Sequence, residues 1–289
     1  MTQWIIPDPD FYDLGPGREG KGPKVSGYRT KDTYAGDTLR VEGFAYWDTR
    51  PRCGARAKKL KESRAAQKRL NAKNAAVRFV DLLNANFNAR DLHIVGTYDD
   101  KHGQLPDIDR VRKDVRNYLA SIQRALARLG LPKAKYMYVI EGAAPGSKQK
   151  RIHVHLVIGC GLSREELENL WRHGRAHADR LQPDEYGLIA LGRYLSKDPK
   201  GRKRWSASKG LKQPEVRISD RKLSRRRAAE IARDRYAAKA IAEKLYPGWT
   251  IKDPEQDVTV RTSEHVSGAY ISMRLVRADD KTKNMRRRK

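Results

Sequence analysis

Seven apolar residues, Ile108, Val111, Val115, Leu119, Ile122, Leu126 and Leu129, recur at spacings of three and four, which makes residues 108 to 129 an amphipathic helix with one stripe to bury. Gly130 and Pro132 close it. The flanking segments have a different period. Leu92 to Tyr98, Tyr136 to Ile140 and Ile152 to Ile158 read as strands, and Ser163 with Glu166 forms a capping box that opens a helix through Trp171. The predicted order is strand, helix, strand, strand, helix. Residues 143 to 149 are turn-rich, so the last two strands pair as an antiparallel hairpin, while the long helix crosses from the first strand to a parallel neighbour. The expected fold class is α+β, a mainly antiparallel sheet of the ferredoxin-like kind with helices on one face.

The rest of the chain is less regular. Residues 1–55 are rich in Gly, Pro, Asp and Tyr and read as a flexible arm with one short strand near Leu39 to Val41. Residues 56–90 carry a basic helix, expected to run from Arg56 to about Leu83, and 91–218 hold the patterned core. A helix over Pro183 to Lys197 is expected within that core. In 219–280 the reading is a long basic helix from Asp220 to Leu245 and a strand from Gly268 to Val276. The tail, 281–289, is basic and predicted to be disordered until it meets phosphates. A chain of 289 residues accommodates this as one core with extensions.

Lysine and arginine total 62 against 35 acidic residues, a formal net charge of +27, and such an excess attracts polyanions. Nucleic acid is the expected partner. Membrane attachment is not expected, because no amphipathic anchor, lipidation signal, signal peptide or spanning segment is present in the sequence, and a cytoplasmic protein is the reading that follows. Cys53 and Cys160 are too few for a disulfide framework or a metal knuckle. Gly15 to Gly22 matches a Gly-rich phosphate-loop pattern, but Asp8-Pro9-Asp10 precedes it and Gly22 stands where a Ser or Thr must reach magnesium, so nucleotide binding is not expected there.

The third strand bears the chemistry. Ile152, Val154, Leu156 and Ile158 alternate onto one face and His153 and His155 onto the other, which puts two imidazoles side by side on what reads as an open face. With seven histidines in 289 residues, such a triplet arises by chance in about one sequence in six, so alone it carries little. Glu141 ends the preceding strand. The hairpin brings it beside the pair, as either the third ligand of an open divalent-ion site or a solvated hairpin residue; manganese or magnesium suits that donor set, with zinc as an alternative. Tyr194 flanks the apolar face formed by Leu188, Leu191 and Leu195, with Lys197 about 60° round and one turn along. A phenol with an ordinary pKa near ~10 needs help to attack at neutral pH, and Lys197 could supply it. The plain alternative is a helix-boundary aromatic and a solvated charge.

Taken in order, these residues resemble the HUH endonucleases, especially rolling-circle replication initiators of phages, plasmids and small single-stranded DNA viruses. Thr97-Tyr98 is similar to the family's first motif, although Val95-Gly96 precedes it in place of the usual aromatic-Leu start. Glu141 with His153-Val154-His155 is similar to its metal motif, and Tyr194-Leu195-Ser196-Lys197-Asp198 to its Tyr-x-x-Lys motif. The stretch Arg204 to Leu211 resembles one that follows the tyrosine helix in phage-type initiators. The resemblance covers roughly residues 90 to 218 and implies an RRM-like core, Tyr194 as nucleophile, Lys197 as its aid, and a divalent ion on Glu141, His153 and His155. It further implies a 5′-phosphotyrosine link with a free 3′-hydroxyl, single-stranded or hairpin origin DNA as substrate, and a host helicase and polymerase as partners. Arg193, Arg204, Ser206, Ser208 and Lys209 are candidate DNA contacts. Tyr186 lies eight residues before Tyr194, about 12 Å along a helix, so a single-tyrosine enzyme is favoured. Rival readings are a relaxase, whose usual three-histidine cluster the sequence lacks, a single-tyrosine transposase, and a non-catalytic nucleic-acid-binding protein.

Overall fold

The computed structural model describes residues 25–46, 65–99, 107–142, 152–196, 205–263 and 266–278. The glycine cluster at 15 to 22, the basic stretch 56 to 64 and the tail from 281 lie outside these residues. In chain order the elements are β1 (Gly27–Ala35), β2 (Thr38–Tyr46), α1 (Ala65–Asn86), β3 (Leu92–Thr97), α2 (Ile108–Arg128), β4 (Lys135–Glu141), β5 (His153–Gly159), α3 (Arg164–Leu170), β6 (Ala176–Arg180) and α4 (Ile189–Leu195). They continue with β7 (Ser206–Ala207), β8 (Glu215–Ser219), α5 (Arg225–Arg233), α6 (Ala237–Leu245), β9 (Trp249–Thr250), α7 (Pro254–Asp257), β10 (Val258–Ser263) and β11 (Val266–Arg277). This is the expected α+β class, with antiparallel pairing throughout both sheets. No helix among the described residues is long and apolar enough to cross a membrane.

The chain divides into two compact units, Ala75–Gln213 and a second built from Met1–Asn74 with Pro214–Lys289. In the 75–213 unit the strand order is β6-β3-β5-β4-β7. The α2 crossover does join parallel strands, β3 and β4, but they are not neighbours: β5 returns antiparallel between them and bonds to both. With β6 on the outer side of β3, this is the split βαβ arrangement of ferredoxin-like folds. The strand β6 had no signature in the sequence, since in Ala176 to Arg180 only Ala178 is buried.

One sheet face buries Leu92, Ile94, Val154, Leu156 and Ile158 against the α2 stripe Val111, Val115, Leu119, Ile122 and Leu126, together with Leu167 and Trp171. Each such side chain contributes about 1.5–3 kcal/mol when fully buried. Asp107 caps α2 by accepting from the Arg110 N–H, and Ser163 with Glu166 forms the predicted capping box of α3. The second face is not open, contrary to expectation. Phe79, Leu82, Leu83 and Phe87 of α1 and Leu195 of α4, with Leu188 just before α4, pack there on Met137, Val139 and Val157. The alternation of β5 hid this, because Val157 is the one apolar residue on its histidine face.

The expected helix over Pro183 to Lys197 is shorter. The Asp184 carboxylate accepts from the Tyr186 N–H, Asp184 and Gly187 bridge to each other, and Gly187 takes φ 69°, so α4 starts only at Ile189. Tyr186 therefore sits in a turn and not on the helix of Tyr194.

In the two-segment unit the order is β10-β11-β2-β1-β8, with β9 also on β11. Residues 27 to 46, read from sequence as part of an arm, are two nine-residue strands. Their inward column includes Thr30 and Asp32, both buried, which disguised the alternation. Asp32 is held by the Lys222 ammonium at 2.7 Å and the Tyr246 hydroxyl at 2.8 Å. The anticipated long helix over 220 to 245 is two: Ser224 caps α5, and Asp234 leaves the helical region and accepts from the Tyr236 N–H. These helices cover Leu39, Val41, Ile271 and Leu275 through Ala228, Ile231 and Ile241. The extensions thus own a second hydrophobic core where one core was expected.

Gly192 is the point where α4 meets α1: a Cβ there would lie 2.7 Å from Val80 Cγ2 and 3.3 Å from Leu83 Cδ1. Gly192→Val must push the helix away, and we expect a loss of about 1–3 kcal/mol in stability, read by urea denaturation. A variant as stable as the parent would mean that α4 tolerates displacement.

Candidate metal centre and nucleophile

Three strands bring the chemistry together by register. Glu141 pairs directly with His153 across β4 and β5, and on the other side of β5 His153 pairs with Thr97. Two residues along β5, Val139, His155 and Val95 form the next row on the same face. Side chains in a row share a face, so Glu141, His153 and His155 converge. His155 Nε2 lies 3.2 Å and His153 Nε2 3.5 Å from Glu141 Oε2, and the three ligand atoms all fall within 4.8 Å of one another. With metal–ligand bonds of about 2.0–2.2 Å, donors on one ion stand roughly this far apart. Two imidazoles and one carboxylate therefore fit a divalent cation, with positions left for other oxygen ligands.

The two histidines differ in setting. His155 is 3% exposed, and its pKa falls to about 4 because burial disfavours the imidazolium, with the neighbouring His153 and His93 adding to the effect and Glu141 opposing it. His155 thus presents a neutral ring at physiological pH, the form a metal requires. Glu141 and His153 are partly exposed at the sheet end.

Tyr194 stands over this group. Its ring lies 5.8 Å from that of His155, centroid to centroid, edge-on at 87°. Leu188 and Leu195 anchor the α4 segment in the core while Tyr194, 45% exposed, keeps its hydroxyl end accessible. The short helix thus aims one phenol at the mouth of the triad.

The other sequence candidates are placed differently. Arg193 is exposed on α4. Ser206 pairs with Tyr138, and Ser208 is tied to Tyr136 twice, its N–H donating to the Tyr136 carbonyl and its hydroxyl accepting from the Tyr136 N–H. Tyr136 and Tyr138 belong to the α2 side of the sheet, so both serines sit on the face opposite the triad. Lys209 is exposed in the turn beyond β7. Lys197 and Arg204 lie outside the described residues. The Thr97-Tyr98 pair anchors the end of β3: the Trp171 indole N–H donates to the Thr97 carbonyl, and the Tyr98 hydroxyl donates to buried Asp114.

Two features had no sequence signal. His93, on β3, faces the triad side, and its Nε2 lies 3.2 Å from His155 Nδ1. Only the β3–β5 register, which sequence cannot supply, makes that diagonal neighbour visible. Beyond Thr97 the backbone of Arg175 continues the row, accepting from both the N–H and the hydroxyl of Thr97. Arg175 and His177 are exposed on this part of the β3–β6 surface.

A family model of replication-associated proteins, described as the ORF2 type, matches residues 93–199. That stretch includes His93, the triad and Tyr194. No curated protein and no solved structure matches the chain.

Because the folded state lowers the pKa of His155 from 6.5, the unfolded chain binds the extra proton first as pH falls. Stability is intact above about 6.5 and is lost as pH drops toward 4, on the order of 3 kcal/mol from this group. We expect the melting temperature of chelator-treated protein to fall over that window and the slope to flatten in His155→Gln; an unchanged slope would remove His155 as the cause.

Proposed function

We propose that the chain nicks and rejoins single-stranded DNA through Tyr194 and so initiates replication of the rolling-circle kind. The observation that carries the reading is the placement of the Tyr194 ring, edge-on and accessible, above a Glu141-His153-His155 cluster with the donor set and spacing of a divalent-ion site. The match to a replication-associated family over the same residues supports it, as does the net charge of +27.

In this reading Glu141, His153 and His155 hold manganese or magnesium, with zinc as an alternative. A cation bound there supplies Lewis-acid polarisation of a non-bridging phosphate oxygen. The Tyr194 hydroxyl gives up its proton and its oxygen forms a bond to phosphorus. The bond from phosphorus to the 3′-oxygen breaks, and that oxygen takes up a proton to leave a free 3′-hydroxyl. The 5′-phosphate stays on Tyr194. Attack by a later 3′-hydroxyl reverses these steps and releases the tyrosine, so the phosphodiester is conserved and no nucleotide triphosphate is consumed. Lys197 is assigned, from its spacing alone, to steady the phenolate or the charge on phosphorus.

The strand flanking the scissile phosphate is assigned to the exposed β3–β6 surface beside the triad, where Arg175 meets a phosphate. Such contacts position the strand without reading bases. The basic α5, with Arg225, Arg226 and Arg233 exposed, offers further sequence-independent contacts. Strand separation falls to a host helicase and extension to a host polymerase.

The test uses a labelled randomised single-stranded DNA library with manganese or with chelator. A labelled band that survives denaturation, requires metal and falls at least about 10³-fold in Tyr194→Phe is expected. His153→Ala should abolish the band while salt-sensitive DNA binding persists. An adduct that persists in Tyr194→Phe assigns the nucleophile elsewhere, and binding with no adduct in the parent favours a non-catalytic protein. Arg175→Ala should weaken binding across all sequences and lower the salt slope by about one; an unchanged slope takes the strand off the β3–β6 surface.

A further inference from the structure

A metal-ligating imidazole must offer a lone pair on the nitrogen that faces the cation, so its single proton sits on the other nitrogen and needs an acceptor. For His155 the first nitrogen is identified by Glu141: Nε2 lies 3.2 Å from the shared carboxylate oxygen. Nδ1 points the opposite way, into the body of the unit. There it meets Nε2 of His93 at 3.2 Å, within hydrogen-bonding geometry, and the two ring planes are inclined by only 13°. Since His155 is almost wholly buried, water has little access to that proton.

We infer that His93 is a positioning residue of the metal centre: its Nε2 accepts the Nδ1–H of His155 and so commits the His155 Nε2 lone pair to the cation. The inference rests on the metal reading given above and extends it to a residue that touches neither cation nor phosphate. To accept at Nε2, His93 must keep its own proton on Nδ1. Its cross-strand partner on β6 is Asp179, a carboxylate whose negative charge favours that N–H. Asp179 is itself held by the Arg164 guanidinium at 2.9 Å and by His177 at 3.0 Å. The line from Asp179 through His93 to His155 thus crosses three adjacent strands, β6, β3 and β5, and orients a ring that no backbone carbonyl is seen to hold among the described contacts.

The test has two readouts that do not involve DNA. First, calorimetric titration of the full chain with manganese chloride alone: His93→Phe should weaken binding about 10- to 100-fold, and His93→Gln, whose side-chain carbonyl can accept the same proton, should recover part of the loss. Second, long-range proton–nitrogen spectra of the zinc-loaded parent should show His93 in the Nδ1–H form and His155 protonated at Nδ1. Manganese binding in His93→Phe within about twofold of the parent, against the loss expected for such a partner, or a zinc-loaded His93 that carries its proton on Nε2, overturns the inference and leaves the metal reading standing. A parent that binds neither ion overturns the metal reading, and this inference with it.

Discussion

The strand register of β3, β5 and β4 is the constraint on which the rest of the site depends. In an antiparallel pair a shift of one residue turns every side chain to the other face. Were β5 to slip by one against β4, Val154 would replace His153 opposite Glu141, and the histidines would point into the α2 core. That slip is prohibitive on both sides at once. It would bury two imidazoles among Val111, Val115 and Leu119, and it would expose Ile152, Val154, Leu156 and Ile158. The hydrophobic pattern that stabilises the sheet is therefore also what assembles the ligand set, and no separate device is needed to aim the histidines.

The face they point to owes its character to what covers it. The expected open face would have left both rings solvated and equally basic. Instead α1 and α4 close part of it, burying His155 while His153 and Glu141 remain at the rim. One ligand is thereby kept neutral and fixed, and the others stay reachable. The same cover delivers Tyr194, since the helix that seals the core through Leu195 carries the phenol one residue earlier.

Much of this was legible in the sequence, and the limits have physical causes. The α2 stripe, the capping box at Ser163 and the alternation of β5 are local patterns, and each describes an element that formed as read. The candidate triad was also legible, because Glu141 and His153 are joined through a hairpin whose pairing follows from chain proximity. What depends on contacts between distant segments was not. His93 lies 62 positions before His155 in the chain. The edge strand β6 buries too little to show a period. In β1 the buried ion pair of Asp32 with Lys222 puts a charge where an apolar residue was awaited, so a central strand passed for an irregular arm.

The β1–β2 hairpin has a further implication, for synthesis. Its partners β8 and β11 follow the 75–213 segment in the chain, so the hairpin is made long before the strands that flank it. Domains tend to fold as they emerge, and the intervening unit holds a contiguous sheet and its own apolar core, so it can close first. Until residues 215 to 277 follow, β1 and β2 present two unpaired strand edges and the carboxylate of Asp32 without its lysine. The charge that obscured the strand in the sequence therefore guards it on the ribosome: an ionised Asp32 on the inward face opposes premature pairing with another chain, and the protection is withdrawn only when Lys222 arrives.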